Sequence, residues 1–310
     1  MSAGPTPADP FDRRPDAEGP VVALEPGLRR VTCPNPSPMT FTGTRTYIVG
    51  RGEVAVVDPG PEHPGHLEAI LAALEAGETP PPRPRAPLPP ETPDAPPGDA
   101  APFPLDDPEG SNLERDARTH LLALDAETTA RLLHEAPAAF PVAPQEALAA
   151  ALALALAEHT GAPALDLELE GHGRDALPGG RGLGGAVGGL TSCRSVRLDL
   201  PPGAGPAEAL RRAKDALRGP PRPGGPAPAV RFIYTAETAA LEAGALLRPA
   251  PESPGPQRGP DNPRDIVLEI DARVSEGWMR LGLTHSAAQL RPETVARIAG
   301  RIAAHLEAIL

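Results

Sequence analysis

The sequence predicts an α/β fold in which helices cover a mixed β-sheet. Runs rich in β-branched residues alternate with amphipathic helical segments along much of the chain, a pattern typical of a sheet packed against helices. Hairpin signals interrupt this alternation, so antiparallel as well as parallel strands are expected. Hydrophobic residues make up 40% of the 310 residues, which is enough for a core, but aromatic residues make up only 3%. Alanine and leucine must therefore do most of the packing.

Composition divides the chain into four segments. Residues 1–19 are a polar, Pro-rich tail that is expected to be disordered. Residues 20–78 carry strand and helix signals and form a small unit. Residues 79–105 are rich in proline, which predicts an extended, semi-rigid linker. Residues 106–310 form the larger folded unit, and the chain contains no internal repeat.

In the first unit, the pattern predicts a β-hairpin followed by a helix. Residues 46–49 and 54–57 are short β-rich runs around a turn that contains two glycines. Residues 66–74 then have helical periodicity. The apolar face of this helix is predicted to consist of Leu67, Ile70, Leu71 and Leu74.

In the larger unit, the first predicted element is a strand at 119–124. Asp125 is expected to cap the helix that follows at 128–136. A second helix is predicted at 145–159, with an apolar stripe, and a half-buried strand at 165–170, where leucines alternate with acidic residues. The stripe of the second helix is Leu148, Leu152 and Leu156.

The rest of this unit continues the alternation of strands and helices and closes with a long helix. Pro292 fits the first turn of that closing helix. The predicted elements are a strand at 196–200, a helix at 207–218, a strand at 230–234, a hairpin formed by 266–274 and 278–284, and the closing helix at 292–309.

Charge and apolar content exclude several functions. The net charge is −12 and no basic stripe is present, so no nucleic-acid partner is expected. The longest apolar run, 147–157, is too short for a bilayer, which needs about 20 residues. The first twenty residues lack the apolar core of a signal peptide. Cys33 and Cys193 lie too far apart for a disulfide framework or zinc knuckle. A cytoplasmic protein with no membrane partner is therefore expected.

The strongest chemical signal lies at the end of the predicted strand 165–170. Glu168 and Glu170 are two residues apart, which places their side chains on one face about 7 Å apart. Neighbouring carboxylates can act in acid/base catalysis, although the solvent face of a strand has the same pattern. Glu170 is followed by His172 and Arg174, separated by glycines. These three side chains could form a proton-transfer site or an ordinary polar turn.

Several motifs in the larger unit occur in the order of a known family. EGHGRD at 170–175 resembles the EGHGRE-type motif of nonribosomal-peptide-synthetase epimerisation domains. VGGLTS at 187–192 resembles the VGWFTS-type motif of the same family, and FIY at 232–234 resembles its FNY motif. Residues 106–310 therefore resemble the C-terminal lobe of an epimerisation/condensation domain. The resemblance implies one lobe of a chloramphenicol-acetyltransferase-like fold, in which two lobes enclose a tunnel.

The resemblance also implies roles for individual residues. Glu170 would be the acid/base candidate of this lobe, with Tyr234 lining the tunnel near the thioester and His172 completing the catalytic set. The implied substrate-binding residues are Arg174, Thr191 and Ser192.

The implied substrate is an aminoacyl or peptidyl thioester on a carrier domain. No cofactor would be bound directly, because the phosphopantetheine arm of the peptidyl carrier domain tethers the substrate. No metal is implied. A separate N-terminal condensation-type lobe is the second implied partner.

The chain departs from the family at four places, one of which is the short, Pro/Gly-rich stretch 219–229, where the family has more chain. The HHxxxDG motif belongs to the N-terminal lobe, and the sequence contains no His-His pair. Gly189 and Leu190 stand where the VGWFTS motif has two aromatics, and Ile233 stands where the FNY motif has asparagine. Without the histidine, half of the proton-transfer pair is missing. The chain is therefore expected to be inactive alone.

Residues 20–78 resemble the start of a metallo-β-lactamase-superfamily hydrolase, with Asp58 in the DPG that closes the early strands. The zinc motif H-x-H-x-D-H of that superfamily is absent, and His63 and His66 alone lack a third ligand. Three alternatives to an incomplete epimerisation/condensation domain remain open. These are a metallo-hydrolase fragment without zinc ligands, a non-catalytic module that docks a carrier domain, and a product of gene fusion, deletion or frameshift.

Overall fold

The computed structural model describes residues 21–36, 40, 42–61, 63–79, 103–136, 141–171, 191–219, 228–235, 258–275 and 277–310. These residues belong to two compact units. The first contains the described segments of 21–79 together with residues 258–262, and the second contains the described segments of 103–235 and 263–310.

The first unit is a four-stranded antiparallel sheet in the order β1-β2-β3-β4, with one helix, α1. The β3–β4 hairpin was predicted. The β1–β2 hairpin was not, because β1 is mostly exposed and one of the two buried positions of β2 is an arginine, Arg29, so neither strand shows a clear apolar alternation. The elements are β1 (Val21–Glu25), β2 (Leu28–Thr32), β3 (Arg45–Arg51), β4 (Glu53–Val57) and α1 (Pro64–Ala72).

The predicted apolar face of α1 is wrong at two positions. Leu67 and Leu71 are 57% and 58% exposed, whereas Ile70 is buried as predicted. His66 is also buried. His66 and Ile70 are one helical turn apart and therefore point to the same side. The imidazole thus takes the place on the inner face that the pattern assigned to leucine.

The second unit contains a six-stranded mixed sheet in the order β5-β10-β9-β8-β6-β7. Strand β8 is parallel to both β6 and β9, and the remaining pairs are antiparallel. The prediction of a mixed sheet is confirmed. The strands are β5 (Ala117–Ala123), β6 (Ala164–Gly171), β7 (Ser192–Asp199), β8 (Val230–Thr235), β9 (Leu268–Ser275) and β10 (Trp278–Ser286).

The described residues of this unit form four α-helices. Asp125 caps the first as predicted, because its carboxylate accepts the backbone N–H of Thr128 at 2.7 Å. That helix continues as a π-helical turn over Arg131–Glu135. The helices are α2 (Ala126–Ala130), α3 (Pro144–Thr160), α4 (Pro206–Arg218) and α5 (Pro292–Ile309).

Helix α3 is the centre of the core and contacts α4, α5 and β6. Its predicted leucine stripe is fully buried, and so are the alanines between the leucines from Ala147 to Ala155. A helix that is packed on several sides needs apolar residues around its circumference. This explains why the alanine-rich run is buried rather than amphipathic.

Long-range polar contacts fix two helix starts. Glu146 accepts the backbone N–H of Ala143 at 2.8 Å and pairs with Arg218 at the end of α4, at 2.5 and 3.0 Å. Asp106 caps α5 by accepting the N–H of Arg291 at 2.8 Å. Because Phe103 and Leu105 pack against the core, the last residues of the predicted linker belong to the folded unit. Among the described helices, none is both long and apolar enough to cross a membrane.

Candidate functional site

The candidate site lies at the ends of the parallel strands β6 and β8. In β6, alternation directs Leu165, Leu167 and Leu169 into the core. Glu168 and Glu170 therefore share the opposite face of the sheet, as predicted. In register, Glu170 lies beside Cys193 on β7 and Ile233 on β8.

The two glutamates have different surroundings. Glu168 accepts a hydrogen bond from Nε of Arg231 at 2.5 Å and is engaged in an ion pair. Glu170 lies two residues further along the strand. Its carboxylate makes no hydrogen bond or ion pair within the part of the chain that the structure describes. Of these two carboxylates, Glu170 is therefore the one available to exchange a proton.

Arg231 contacts three carboxylates on this side of the sheet and was not singled out from the sequence. Its side chain is 11% exposed and also pairs with Asp265 at 3.0 Å and Glu269 at 3.5 Å. Burial alone would lower the pKa of this guanidinium, but the hydrogen bonds to Glu168 and Asp265 outweigh burial and raise the pKa. The sequence did contain a signal for this residue. Arg231 stands in the β-rich run VRFIYT, at a position that the alternation of side chains assigns to the polar face of the sheet.

Cys193 lies next to Glu170 in the register, and its side chain is exposed. The sequence shows no activating base near this thiol, which predicts a buried or inert cysteine, and the prediction of burial is wrong. Partial withdrawal from water, followed by the nearby carboxylates of Glu168 and Glu170, raises the pKa of Cys193. The thiol is therefore protonated and weakly nucleophilic at neutral pH.

Tyr234 is on the other face of the sheet. Its partner in the register on β9 is Ala272, which is fully buried in the core, and Tyr234 packs against the same core. Burial raises the pKa of the Tyr234 hydroxyl. Within the described residues, the sheet separates Tyr234 from Glu170. The role of Tyr234 in a tunnel stays a prediction.

The other predicted site residues are partly described. Ser192 begins β7 and pairs with Gly171 at the end of β6, and Thr191 is exposed immediately before it. Both are thus adjacent to the strand end that carries Glu170. His172 and Arg174 lie outside the described residues.

In the first unit, the two histidines serve the local structure. His63 caps α1 by accepting the N–H of His66 at 3.2 Å through Nδ1. Thr46 donates its hydroxyl proton to the carbonyl oxygen of Asp58 at 2.6 Å. Its oxygen therefore accepts from Nε2 of His66 at 2.8 Å. Burial, and then the charge of His63, lower the pKa of His66.

No metal centre was predicted for this chain. Within the described ranges, no group of three or more His, Cys, Asp or Glu side chains is arranged to hold a metal ion.

In a comparison with known proteins, the amino-acid sequence of this chain is similar to parts of large synthases. The chain is 36% identical over 215 residues to chondramide synthase of Chondromyces crocatus, covering 64% of this chain and 6% of that protein. It is 32% identical over 195 residues to a component of the linear gramicidin synthase of Brevibacillus parabrevis, covering 56% of this chain and 4% of that protein. The chain thus spans only a small part of either synthase. No family model matches the chain.

Solved structures confirm the fold. The epimerization domain from the third module of tyrocidine synthetase B is similar with a TM-score of 0.60 and 23% identity, covering 68% of this chain and 51% of that one. The X-domain from teicoplanin biosynthesis is similar with a TM-score of 0.51 and 21% identity, covering 66% and 49%. The chain therefore spans about half of each solved domain.

These comparisons do not support the resemblance of residues 20–78 to a metallo-β-lactamase-superfamily hydrolase. They support the main functional prediction over that alternative. The mixed α/β fold is that of the epimerization domain of tyrocidine synthetase B, and the relatives in sequence are large synthases.

Proposed function

We propose that this chain is the C-terminal lobe of an epimerisation/condensation-type domain and forms one side of its active site. The domain acts on carrier-bound aminoacyl or peptidyl thioesters. Glu170 would be the acid/base carboxylate that this lobe contributes. The observation that carries the proposal is the contrast on β6. Arg231 neutralises Glu168, whereas the carboxylate of Glu170 has no partner among the described residues.

The local geometry also supports a substrate near Glu170. The carboxylate stands at a strand end, where Gly171 pairs with Ser192 and the exposed Thr191 precedes Ser192. A hydroxyl group such as that of Thr191 can donate a hydrogen bond to a thioester oxygen or to the tether. From the sequence motifs alone, Ser192, His172 and Arg174 are proposed to complete this end of the site.

Inversion at an α-carbon requires proton transfer on both sides of the substrate. One group removes the proton and a second returns a proton to the opposite face, so atoms and charge balance over the cycle. The sequence contains no HHxxxDG motif that could provide the second group. A separately encoded N-terminal lobe is therefore the proposed partner. A peptidyl carrier domain would present the thioester on its phosphopantetheine arm.

The test is solvent-deuterium incorporation at the α-carbon of an aminoacyl thioester on a holo-carrier domain. The full chain is mixed with a separately produced N-terminal lobe that contains HHxxxDG. We expect exchange with the native chain. We expect a loss of at least about 100-fold in Glu170→Gln, because general acid–base catalysis contributes about 10²–10⁴-fold.

The matched control is Glu168→Gln, which changes the neighbouring carboxylate on the same face. We expect exchange within about tenfold of the native rate, because Glu168 contributes electrostatically and not as the proton carrier. Equal losses in the two variants would contradict the assignment of Glu170. Carrier binding without exchange in any combination would instead indicate a docking module.

A further inference from the structure

Arg231 connects the central strands of the second unit. In register, it stands between Glu168 on β6 and Glu269 on β9. Its guanidinium contacts three carboxylates, those of Glu168, Asp265 and Glu269. The contact with Glu168 is the shortest, at 2.5 Å from Nε. One cation is therefore shared among three acids from two neighbouring strands and the segment before β9.

This arrangement distinguishes two otherwise similar glutamates. Glu168 and Glu170 project from the same face of β6, but only Glu168 is next to the arginine in the register. The β8 residue beside Glu170 is Ile233, which carries no charge. If Arg231 were absent, Glu168 would be an uncompensated negative charge two residues from Glu170. A like charge at that separation disfavours ionisation of a neighbouring carboxylate.

We infer that Arg231 is a positioning residue of the candidate site, which holds Glu168 in an ion pair and thereby leaves Glu170 as the carboxylate that exchanges the proton. The inference rests on the function proposed above for Glu170. It adds a role for a residue that does not touch the substrate and acts through the electrostatic field at β6.

Cys193 provides an internal probe of that field. It lies beside Glu170 in the register and is exposed to reagents. The carboxylates of Glu168 and Glu170 raise the pKa of this thiol after the effect of burial, and Arg231 opposes them. Because only the thiolate is alkylated, the rate of alkylation against pH measures the local charge.

The experiment measures iodoacetamide alkylation of Cys193 between pH 7 and 10 in the full-length chain. Peptide mass analysis separates it from the buried Cys33. In Arg231→Met, we expect alkylation at pH 8 to slow by about three- to tenfold, because the negative field is no longer opposed. The double variant Arg231→Met/Glu168→Gln should return to within about twofold of the native rate, which isolates the coupling between the two residues.

The matched control is Arg197→Met on the same face of β7, where Arg197 pairs with Asp166 and Asp199. Its alkylation profile should stay within about twofold of the native one, because it lies further along the sheet. If Arg231→Met does not fold, Glu168→Gln alone still tests the inference. We expect it to accelerate alkylation, since it removes a negative charge and keeps the cation.

An unchanged alkylation profile in folded Arg231→Met, or in Glu168→Gln, would overturn the inference. The alkylation experiment needs neither a carrier domain nor a second lobe. Failure of this inference can therefore be distinguished from failure of the proposed function. In the reconstituted exchange reaction, Arg231→Met should also move the pH at which exchange sets in to higher values. A purely structural role would lower the rate equally at all pH values.

Discussion

The two units use chemically capable side chains in different ways. In the first unit, His63 caps a helix and His66 bonds to Thr46, so both imidazoles contribute to the local fold. In the second unit, Arg231 engages Glu168 and leaves Glu170 without a partner among the described residues. The difference teaches that residue type and spacing do not identify a functional side chain. What matters is whether the fold already satisfies its hydrogen bonds and charge.

The units also differ in the size of their cores. Among the described residues, the core cluster of the first unit is small and consists of Val31, Ile48, Val54 and Ile70. The second unit buries leucines, isoleucines and alanines from the sheet and from several helices. Apolar burial is the main favourable term in folding. A single core truncation should therefore remove a larger share of the stability of the first unit.

The largest expected loss, as a share of the stability of one unit, is that of Ile48→Ala. Ile48 is fully buried in β3, and truncation of a buried isoleucine to alanine costs about 2–5 kcal/mol. We expect the first unit to unfold at much lower urea concentration. The measurement is thiol modification of Cys33, which is fully buried in this unit and reacts only after the unit opens.

The matched variant in the other unit is Phe232→Ala, also at a fully buried position. Its cost is about 3–5 kcal/mol. It should shift the fluorescence transition of Trp278, the single tryptophan of the chain, which lies in β10. Each variant should move mainly the probe of its own unit. Equal shifts of both probes in both variants would mean that the units unfold together, contrary to the comparison.

A smaller effect is expected for Glu146→Ala. This carboxylate is buried, closes the first turn of α3 and pairs with Arg218 of α4. Its loss should cost about 2 kcal/mol, from a lost helix cap and a charge-assisted contact. The guanidinium of Arg218 is exposed and can be hydrated once its partner is removed, which limits the loss of folding free energy. Urea unfolding followed by Trp278 fluorescence measures the change.

The control is Glu293→Ala, which removes an exposed acid from the first turn of α5. A loss of only about 0.5 kcal/mol is expected there, from the helix dipole alone. If the two variants lowered stability equally, the contact between Glu146 and Arg218 would have no special importance for the second unit.

The smallest effect is a pH dependence of the first unit. Burial, and then His63, lower the pKa of His66 in the folded state. The unfolded chain therefore binds a proton more readily. The contribution of neutral His66 is fully present above its unfolded pKa of about 6.5 and is lost as the pH falls below that value. Hydrogen–deuterium exchange of the β3 amides at pH 7.5 and 5.5, corrected for intrinsic rates, should show this loss.

His66→Gln should weaken that pH dependence, because glutamine does not titrate in this range. Protection of β3 that is the same at both pH values in the native chain would refute the role of the buried imidazole.

Much of the second unit could be predicted from local pattern. The alternation of leucine and acidic residues in β6 identified both the strand and its polar face, and Asp125 identified a helix start. The apolar pattern failed at α1, because His66 occupies an inward position that hydrophobicity does not mark. It also missed β1 and β2, whose side chains are mostly not buried.

The candidate site could be predicted only in part. Spacing placed Glu168 and Glu170 on one face, but it could not show which of them is paired. That information depends on the parallel register between β6 and β8, which brings together residues 63 positions apart in the sequence. Tyr234 was assigned from a motif. A motif does not show on which side of the sheet the hydroxyl lies.

The most direct test is α-proton exchange by this chain in the absence of any other lobe. Aminoacyl thioester on a holo-carrier domain is incubated in D₂O with increasing concentrations of the full chain. We predict a rate equal to that of the Glu170→Gln variant and of buffer at every concentration. Exchange that increases with the concentration of the lone chain and disappears in Glu170→Gln would contradict the claim that a second, N-terminal lobe is needed.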